Sequence, residues 1–335
     1  MPIFQDFFQE GSFPLFLAPM AGFTDIAFRD LCKRFGADVL VSEFVMANAV
    51  LEAGPQSRIW DMLSFSACQR PFGIQLFGSV PALMAEAAKR VADRLEPDFI
   101  DINCGCPAPK IVDQNAGCAL LMDLPLAGRI AAAVVRAVPG LPVTAKIRTG
   151  WDAEHIVALE AARILEGEGI AALTVHGRTR AQGYGGDADW ALIGEVARNL
   201  SIPVIGNGSV GGAYLPALVR DSGVSGLMIG RAALGRPWIF RDLKRELAGL
   251  PPTPPPEARE KLGTMMDYAR ALLGRGDDIR NIRAKLKPFT EGIAGARKLR
   301  AAMDGARTLA ELEGLLARMP LQAVDSQPEA DSGPV

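Results

Sequence analysis

The chain has 335 residues, of which 49% are hydrophobic and 22% charged, with 36 Lys and Arg against 38 Asp and Glu. This composition excludes a disordered chain or a coiled coil, and the length predicts one large domain with a small addition. No apolar run approaches the ~18–20 residues of a membrane span, and residues 1–10 lack the basic segment of a signal peptide. Five cysteines fit a reducing cytosol better than a disulfide framework, so we expect a cytoplasmic protein without a membrane partner.

Eight short apolar segments have the composition of parallel strands buried on both faces. They are Leu15–Pro19, Val39–Ser42, Phe72–Phe77, Phe99–Asn103, Val143–Ile147, Ala172–His176, Val204–Asn207 and Leu227–Ile229. Segments with helical periodicity separate most of them: Pro81–Leu95, Leu126–Val138, Ala153–Gly167, Trp190–Asn199 and Ala213–Asp221. Eight such units in about 250 residues predict an α/β fold, a (β/α)8 TIM barrel over residues 1–248. A doubly wound parallel sheet is the alternative with the same alternation.

Polar residues stand where the predicted strands end, and four consecutive strands carry Gln75, Asn103, Lys146 and His176. In a barrel these ends open on one mouth, where barrel enzymes have their active sites. Gln75 and His176 could bond the pyrimidine edge of a flavin mononucleotide, and Lys146 could stabilise negative charge at its N1 and O2. A hydrogen-bonded structural role is the alternative for His176. The second histidine, His155, is expected on the solvent face of a helix.

Two glycine-bearing loops, Gly206–Gly211 and Gly230–Gly235, follow the seventh and eighth predicted strands. The first matches G-x-G-x-x-G, but a dinucleotide-binding fold places that motif after its first strand. We therefore predict a phosphate site made of backbone N–H groups, with each loop opening a helix and Arg231 adding a charged contact. Glycines that serve only as tight turns are the alternative.

The loop after the fourth predicted strand carries two cysteines. Cys106 follows a glycine and precedes a proline, so we expect a rigid, exposed thiol that donates a proton while a flavin delivers a hydride. Cys104 should point into the scaffold. A closed zinc site needs four ligands, and no fourth ligand stands nearby, so we expect no metal. The remaining cysteines are expected to be buried and inert: Cys32, Cys68 and Cys118.

The proline run within residues 249–256 predicts a stiff linker. Residues 257–319 have apolar residues at helical spacing and hold 13 Lys and Arg against 9 Asp and Glu, which predicts a small basic helical domain. Such a domain suits RNA binding, although many ordinary helical domains are equally basic. Residues 320–335 are polar and acidic, and we expect a disordered tail.

Taken in chain order, these segments resemble the tRNA-dihydrouridine synthases, and most of all the bacterial B class. The segments that carry the resemblance are Ala18–Asp25, Ser42–Glu43, Gln75–Gly78, Asp101–Pro107, Lys146–Trp151, His176–Thr179 and Gly230–Arg241. The resemblance implies a flavin barrel with a tRNA-binding helical domain that reduces the C5=C6 bond of D-loop uridines, using FMN and NADPH. Similarity to the B class implies position seventeen of the tRNA. We expect a monomer.

Carried over by position, the resemblance also implies roles for single residues. Cys106 would be the proton donor, and Asn103 and Arg178 would bind the uracil edge. The implied FMN contacts are Pro19, Met20, Ala21, Gln75, Lys146, His176, Asn207, Gly208, Ser209, Gly230 and Arg231. Candidates for phosphate contacts in the helical domain are Lys285, Lys287, Arg297, Lys298 and Arg300.

Two positions depart from the pattern of the family. Cys104 adds a second thiol beside the implied acid, and Ser209 stands where an acidic residue is common. Two other functions fit parts of the sequence. A flavin dehydrogenase of free pyrimidines would use the same barrel but has no need of a basic domain. A non-catalytic RNA-binding protein would have no need of Cys106, Lys146 and His176.

Overall fold

The computed structural model describes residues 7–9, 11–210, 215–251 and 253–318, and within them the chain forms nine strands. The strands are β1 Leu15–Leu17, β2 Val39–Val41, β3 Val45–Met46, β4 Phe72–Phe77, β5 Phe99–Cys104, β6 Val143–Arg148, β7 Ala172–His176, β8 Val204–Asn207 and β9 Gly226–Ile229. The sheet order is β2-β1-β9-β8-β7-β6-β5-β4-β3, and β2 also pairs with β4. That pairing closes a parallel barrel of eight strands, which confirms the predicted TIM barrel and excludes the doubly wound sheet.

The predicted strands match the eight that close the barrel. The additional strand, β3, has two residues, Val45–Met46, and pairs with Leu76–Phe77 at the end of β4. Two residues are too few to show a periodicity, so the sequence contains no signal for this strand. β1 ends two residues earlier than predicted because the chain turns at Met20, whose carbonyl accepts the N–H groups of Phe23 and Thr24.

The described helices alternate with the barrel strands and then continue alone to the end of the described chain. They are α1 Ile26–Arg34, α2 Ala47–Glu52, α3 Arg58–Leu63, α4 Pro81–Leu95, α5 Pro109–Val112, α6 Leu124–Ala137, α7 Ala158–Gly167, α8 Trp190–Asn199, α9 Leu215–Ser222, α10 Ile239–Leu247, α11 Ala258–Gly274, α12 Ile279–Leu286, α13 Ala296–Gly305 and α14 Leu309–Ala317. Among them, none is both long enough and apolar enough to cross a membrane.

Two helices have the predicted boundaries, and one begins later than predicted because a loop with its own hydrogen bonds precedes it. α4 and α8 have the predicted bounds. α7 begins at Ala158 because Asp152 accepts the N–H groups of Glu154 and His155, which folds this segment into a loop. His155 is exposed, but it lies in this loop and not on a helix. The prediction for α9 began at residue 213, and residues 211–214 lie outside the described part of the chain.

Side chains inside the barrel form layers because parallel pairing aligns alternate residues of neighbouring strands. An apolar cluster that includes Phe16, Phe99 and Met228 fills part of the interior. Hydrogen bonds from Gln75 and Thr144 to the buried Asp101 form a polar layer beside it. Every residue of the eight barrel strands is buried except Lys146.

The helices α11 to α14 form the predicted C-terminal bundle and pack against the barrel. Met265, Tyr268 and Leu272 of α11 are buried in the same apolar cluster as the helices around the barrel. Residues 251 and 253–256, between α10 and α11, are neither helix nor strand. The division of the chain at residues 248, 256 and 319 stays a prediction, and the predicted tail, 320–335, lies outside the described residues.

Candidate active site

A cavity of about 1000 Å³ opens at the carboxyl ends of the barrel strands. Strand register brings the predicted residues to its wall: Asn103 of β5 is paired with Lys146 of β6, and His176 of β7 with Asn207 of β8. The predicted site residues that line the cavity are Pro19, Met20, Ala21, Asn103, Cys106, Lys146, His176, Arg178, Asn207, Gly208, Ser209, Gly230 and Arg231. Residues from the whole barrel segment therefore meet at one place.

Gln75 is the predicted site residue that does not line the cavity. It is fully buried, its Nε2 donates to Asp101 at 2.5 Å, and its Oε1 accepts from the Asn103 amide at 2.8 Å. The Asn103 Oδ1 in turn accepts the backbone N–H groups of Gly105 and Cys106, at 3.1 and 2.9 Å. In this structure Gln75 orients Asn103, and Asn103 holds the loop that carries Cys106.

The backbone holds Cys106 tightly. Its carbonyl accepts the N–H of Cys118 at 3.0 Å, and a Cβ on Gly117 would lie 2.7 Å from that oxygen, so a side chain there would displace the loop. Burial raises the pKa of the Cys106 thiol, while the N–H of Ala108 and the charges of Arg148 and Lys146 oppose this. The thiol is therefore protonated at neutral pH, as a proton donor must be.

The other cysteines differ in exposure. Cys104 is buried, as predicted, and burial raises its pKa well above the ordinary value. Cys32 and Cys118 are also buried, but Cys68, predicted to be buried, is exposed. The short helical turn that carries it lies at the surface, where its Sγ is 3.0 Å from the Ser66 hydroxyl. Among the described residues, no group of His, Cys, Asp and Glu has the arrangement of a metal site.

The side-chain ammonium of Lys146 has no hydrogen-bond or ion-pair partner in the described part of the chain. Burial and then the neighbouring charge of Arg148 lower its pKa to about 8, while Asp101 opposes the shift. An ammonium group without a partner in a desolvated place is costly, and a bound anion would offset that cost. Lys146 therefore marks the part of the cavity that suits negative charge.

His176 is a neutral imidazole. Burial lowers its pKa to about 2, with further contributions from Lys146, Arg148 and Arg178. Its Nε2 lies 3.3 Å from Arg178 Nη1, which can only donate, so the ring proton is on Nδ1. Arg178 also donates to Gly186 O and Ser209 Oγ, at 2.6 and 2.9 Å. Ser209 thus orients Arg178.

Gly208 is needed because the chain passes close to the His176 ring. Its φ is +107°, and a Cβ would lie 2.7 Å from His176 Cδ2 and 2.8 Å from Ala188 Cβ. The second glycine loop contains a 3₁₀ turn, Arg231–Ala233, whose Ala233 N–H bonds back to Gly230 O, and the helix that follows the loop, α10, begins only at Ile239. The loop after β8 leads to α9 through residues outside the described part.

Replacing Gly208 with alanine should lower the free energy of unfolding by about 3 kcal/mol, because the new Cβ adds a steric clash to a left-handed backbone. Gly223 provides the matched control, since its φ is +69° and nothing lies within 4 Å of an added Cβ. Its alanine variant should lose only about 1 kcal/mol. Denaturant unfolding measures both, and equal losses would contradict the close approach.

Arg148 and Tyr184 line the cavity and had no predicted role. Arg148 is buried and donates to Gly105 O at 3.1 Å, and to Thr179 O and Gly183 O at 2.8 and 2.7 Å. It joins the Cys106 loop to the loop after β7. Tyr184 is 55% exposed, and the guanidinium of Arg231 stacks on its ring at 3.7 Å. In the sequence, Tyr184 is recognisable as an aromatic residue among glycines, and Arg148 as a cation two positions after Lys146.

The chain matches the family model described as dihydrouridine synthase over residues 16–325. It is 42% identical to tRNA-dihydrouridine synthase B of Pseudomonas aeruginosa over 294 residues, covering 87% of each chain. It is 41% identical to the B synthase of Xanthomonas campestris, covering 87% of this chain and 88% of that one. A probable tRNA-dihydrouridine synthase of Mycobacterium tuberculosis is 39% identical, with 91% and 82% covered.

A solved structure also shares the barrel. The old yellow enzyme homologue from Zymomonas mobilis superposes with a TM-score of 0.50 at 15% identity, covering 72% of this chain and 90% of that chain. Similarity at this identity concerns the fold alone. The family match and the relatives confirm the resemblance that the motifs indicated. The chain belongs to the dihydrouridine synthase family.

Proposed function

We propose that this chain is an FMN-dependent tRNA-dihydrouridine synthase that reduces the C5=C6 bond of D-loop uridines with electrons from NADPH. The observation that carries the proposal is that one cavity holds both the protonated Cys106 thiol and the Lys146 ammonium, which has no partner among the described residues. A chain of this family needs both a proton donor and a site for an electron-rich ring, and the cavity contains candidates for each.

The residues present fit a flavin mononucleotide. Lys146 offers a positive charge that no described residue pairs with, and His176 is a neutral donor at Nδ1. Backbone N–H groups beside Gly230 and the Arg231 guanidinium would hold the phosphate. A flavin held here would supply the hydride for C6 of the uracil ring.

The chain itself supplies the proton and the orientation of the groups. Cys106 Sγ holds a proton at neutral pH and would give it to C5. Asn103 keeps one N–H of its amide for the uracil edge, because the other donates to Gln75 and its oxygen is occupied by the loop. Arg148 fixes the Cys106 loop against the loop after β7.

The structure divides the predicted phosphate contacts into engaged and free cations. Lys285 pairs with Asp25 at 2.8 Å, and Lys287 with Asp304 at 2.8 Å. Arg300 donates to the Thr290 hydroxyl at 3.2 Å. Arg297 and Lys298 of α13 are exposed, and no ion pair engages them within the described residues. We propose that these two are the phosphate contacts of the helical domain. A phosphate group of RNA releases its counterion only when it binds a cation that is not already engaged by a carboxylate.

Replacing both Arg297 and Lys298 with alanine should lower tRNA affinity at low salt and reduce the slope of log Kd against log salt by about 2, one for each lost contact. The matched control replaces Lys89 and Arg129, exposed residues on α4 and α6 of the barrel, and removes the same charge. Filter binding over a salt series measures the slopes. Equal slopes for the two double variants would refute the assignment.

The function itself is tested by mapping dihydrouridine in tRNA from cells with and without the gene, and by turnover of purified protein on unmodified tRNA. We expect a yellow protein and loss of dihydrouridine at D-loop positions, with position seventeen expected from the B-class relatives. Reduction of free uracil or orotate without activity on tRNA would favour a pyrimidine dehydrogenase. A colourless protein that does not take up FMN would refute the flavin and the function together.

A further inference from the structure

Asp25 connects the barrel to the C-terminal helices with one carboxylate. Its Oδ1 caps α1 by accepting the Phe28 N–H at 2.9 Å. Its Oδ2 accepts the Tyr268 hydroxyl of α11 at 2.7 Å and the Lys285 ammonium of α12 at 2.8 Å. One oxygen atom of Asp25 thus binds two residues that lie more than 240 positions later in the sequence.

This contact is specific because it is largely desolvated. The side chains of Asp25 and Lys285 are 17% and 16% exposed. The Tyr268 ring is buried between Phe28, 5.7 Å away, and Phe289, 6.0 Å away. An ion pair in such surroundings contributes little net stability, since desolvation offsets the attraction, but it penalises every other arrangement of the two partners. The cluster therefore favours one orientation of the helices.

The same carboxylate lies at the end of a loop that forms part of the cavity wall. Met20 lines the cavity, and its N–H donates to Thr24 Oγ1 at 2.7 Å. Thr24 is the residue directly before Asp25. A second contact lies at Gly235, where a Cβ would be 2.2 Å from the carbonyl carbon of Pro288. Its neighbour Leu234 also lines the cavity. Both of these contacts between the helices and the barrel are next to residues of the cavity wall.

We propose that Asp25, through Tyr268 and Lys285, is a positioning residue for the RNA substrate. It holds the C-terminal helices at one angle to the cavity, so that an RNA bound to those helices presents its target base to the mouth. Lys285 then acts inside the protein and makes no phosphate contact. The inference rests on the proposed function, because it assumes that the helices bind tRNA and that the cavity reacts with it.

Asp25→Asn tests the proposal. Asparagine can still cap α1 through its single oxygen, and its Nδ2 can donate to the Tyr268 hydroxyl oxygen, but it offers Lys285 neither a charge nor an acceptor. We expect KM for tRNA to rise about tenfold, the effect of losing a close charge pair, while NADPH reduces the bound flavin at an unchanged rate. Electrostatics alone predicts the opposite sign, because removing a negative charge should tighten the binding of a polyanion.

A double-mutant cycle with Lys285→Met separates orientation from direct RNA contact. If Lys285 acts through Asp25, the double variant should be no worse than the more impaired single variant. Additive losses would mean that Lys285 binds RNA directly, which would overturn the proposal.

Asp38→Asn is the matched control. Asp38 also combines a backbone acceptor contact, to the Leu15 N–H at 2.9 Å, with a lysine pair, to Lys244 at 2.6 Å, but both partners belong to the barrel. Its KM for tRNA should stay at the wild-type value. An unchanged KM for tRNA in Asp25→Asn, or an equal rise in Asp38→Asn, overturns the positioning role. In either case the proposed function stands as long as the wild-type protein forms dihydrouridine. Absence of dihydrouridine formation by the wild-type protein would instead overturn the function, and the inference with it.

Discussion

Cys106→Ala should form dihydrouridine at least a hundred times more slowly than the wild type while the protein keeps its yellow flavin. A positioned general acid contributes about 10²–10⁴ in rate, and water has no fixed place from which to replace it. The thiol lines the cavity without supplying a charge to it, so flavin affinity should change little. Single-turnover reduction of tRNA and the visible absorbance of the purified protein measure the two effects separately.

Cys118→Ala is the matched control for this prediction. Cys118 is buried directly behind Cys106, and burial raises its pKa to about 12, so its thiol is inert. Its backbone N–H, which holds the Cys106 carbonyl, survives the substitution. Turnover should stay within a few-fold of the wild type. Cys106→Ala with wild-type turnover, or an equal loss in the control, would remove Cys106 from its assigned role.

The pH dependence gives a second test of Cys106. Because burial raises its pKa above the ordinary value of a thiol, the proton-donating form persists through neutral pH and disappears only as the pH rises through the raised value. With FMN kept saturating, so that the weaker binding expected above pH about 8 does not limit the rate, turnover of the wild type should be flat through neutral pH and fall in the alkaline range. A fall that begins below an ordinary thiol pKa of about 8.5 would contradict the burial argument.

The barrel could be predicted from the sequence because its strands are buried on both faces, and such strands are short, continuous apolar segments with polar residues at their ends. The same ends line the cavity, which is why a prediction from strand ends located residues as distant as Pro19 and Arg231. β3 was absent from the prediction because pairing with the end of β4 defines it, and its own two residues do not.

Contacts that depend on side-chain direction could not be predicted. Gln75 is a strand amide like Asn103, but it pairs with Asp101 and not with Asn103, and which of two adjacent polar layers meets the cavity depends on barrel register. Arg148 donates hydrogen bonds to backbone carbonyl groups of two loops, and such contacts have no signature in the sequence. For Lys285, a basic residue in a basic domain suggested RNA, whereas its partner, Asp25, lies 260 positions away.

Lys146→Met should weaken FMN binding about a hundredfold, because the variant loses a charge-assisted hydrogen bond in a desolvated cavity. Methionine keeps the length and the apolar stem of the lysine, so the barrel packing should be retained. Fluorescence titration of the flavin-free protein measures the affinity. Lys89→Met, at an exposed position of α4, is the control and should bind FMN like the wild type.

The same variant should make the flavin-free protein more stable, which distinguishes a ligand-binding lysine from a structural one. The pKa of Lys146 is lowered to about 8 in the folded protein, against about 10.4 for an ordinary lysine, so folding disfavours its charged form. This destabilisation is complete below pH 8 and disappears as the pH rises above the ordinary lysine pKa of about 10.4. Lys146→Met has no ammonium group and therefore does not suffer it.

Flavin affinity should show the opposite trend with pH, because binding needs the charge that folding disfavours. As the pH rises through about 8, the free ammonium loses its proton, so the wild type should bind FMN less tightly while Lys146→Met shows no such change. A Lys146→Met protein that is less stable without flavin, and that binds FMN with wild-type pH dependence, would show that the lysine serves the barrel and not the cofactor.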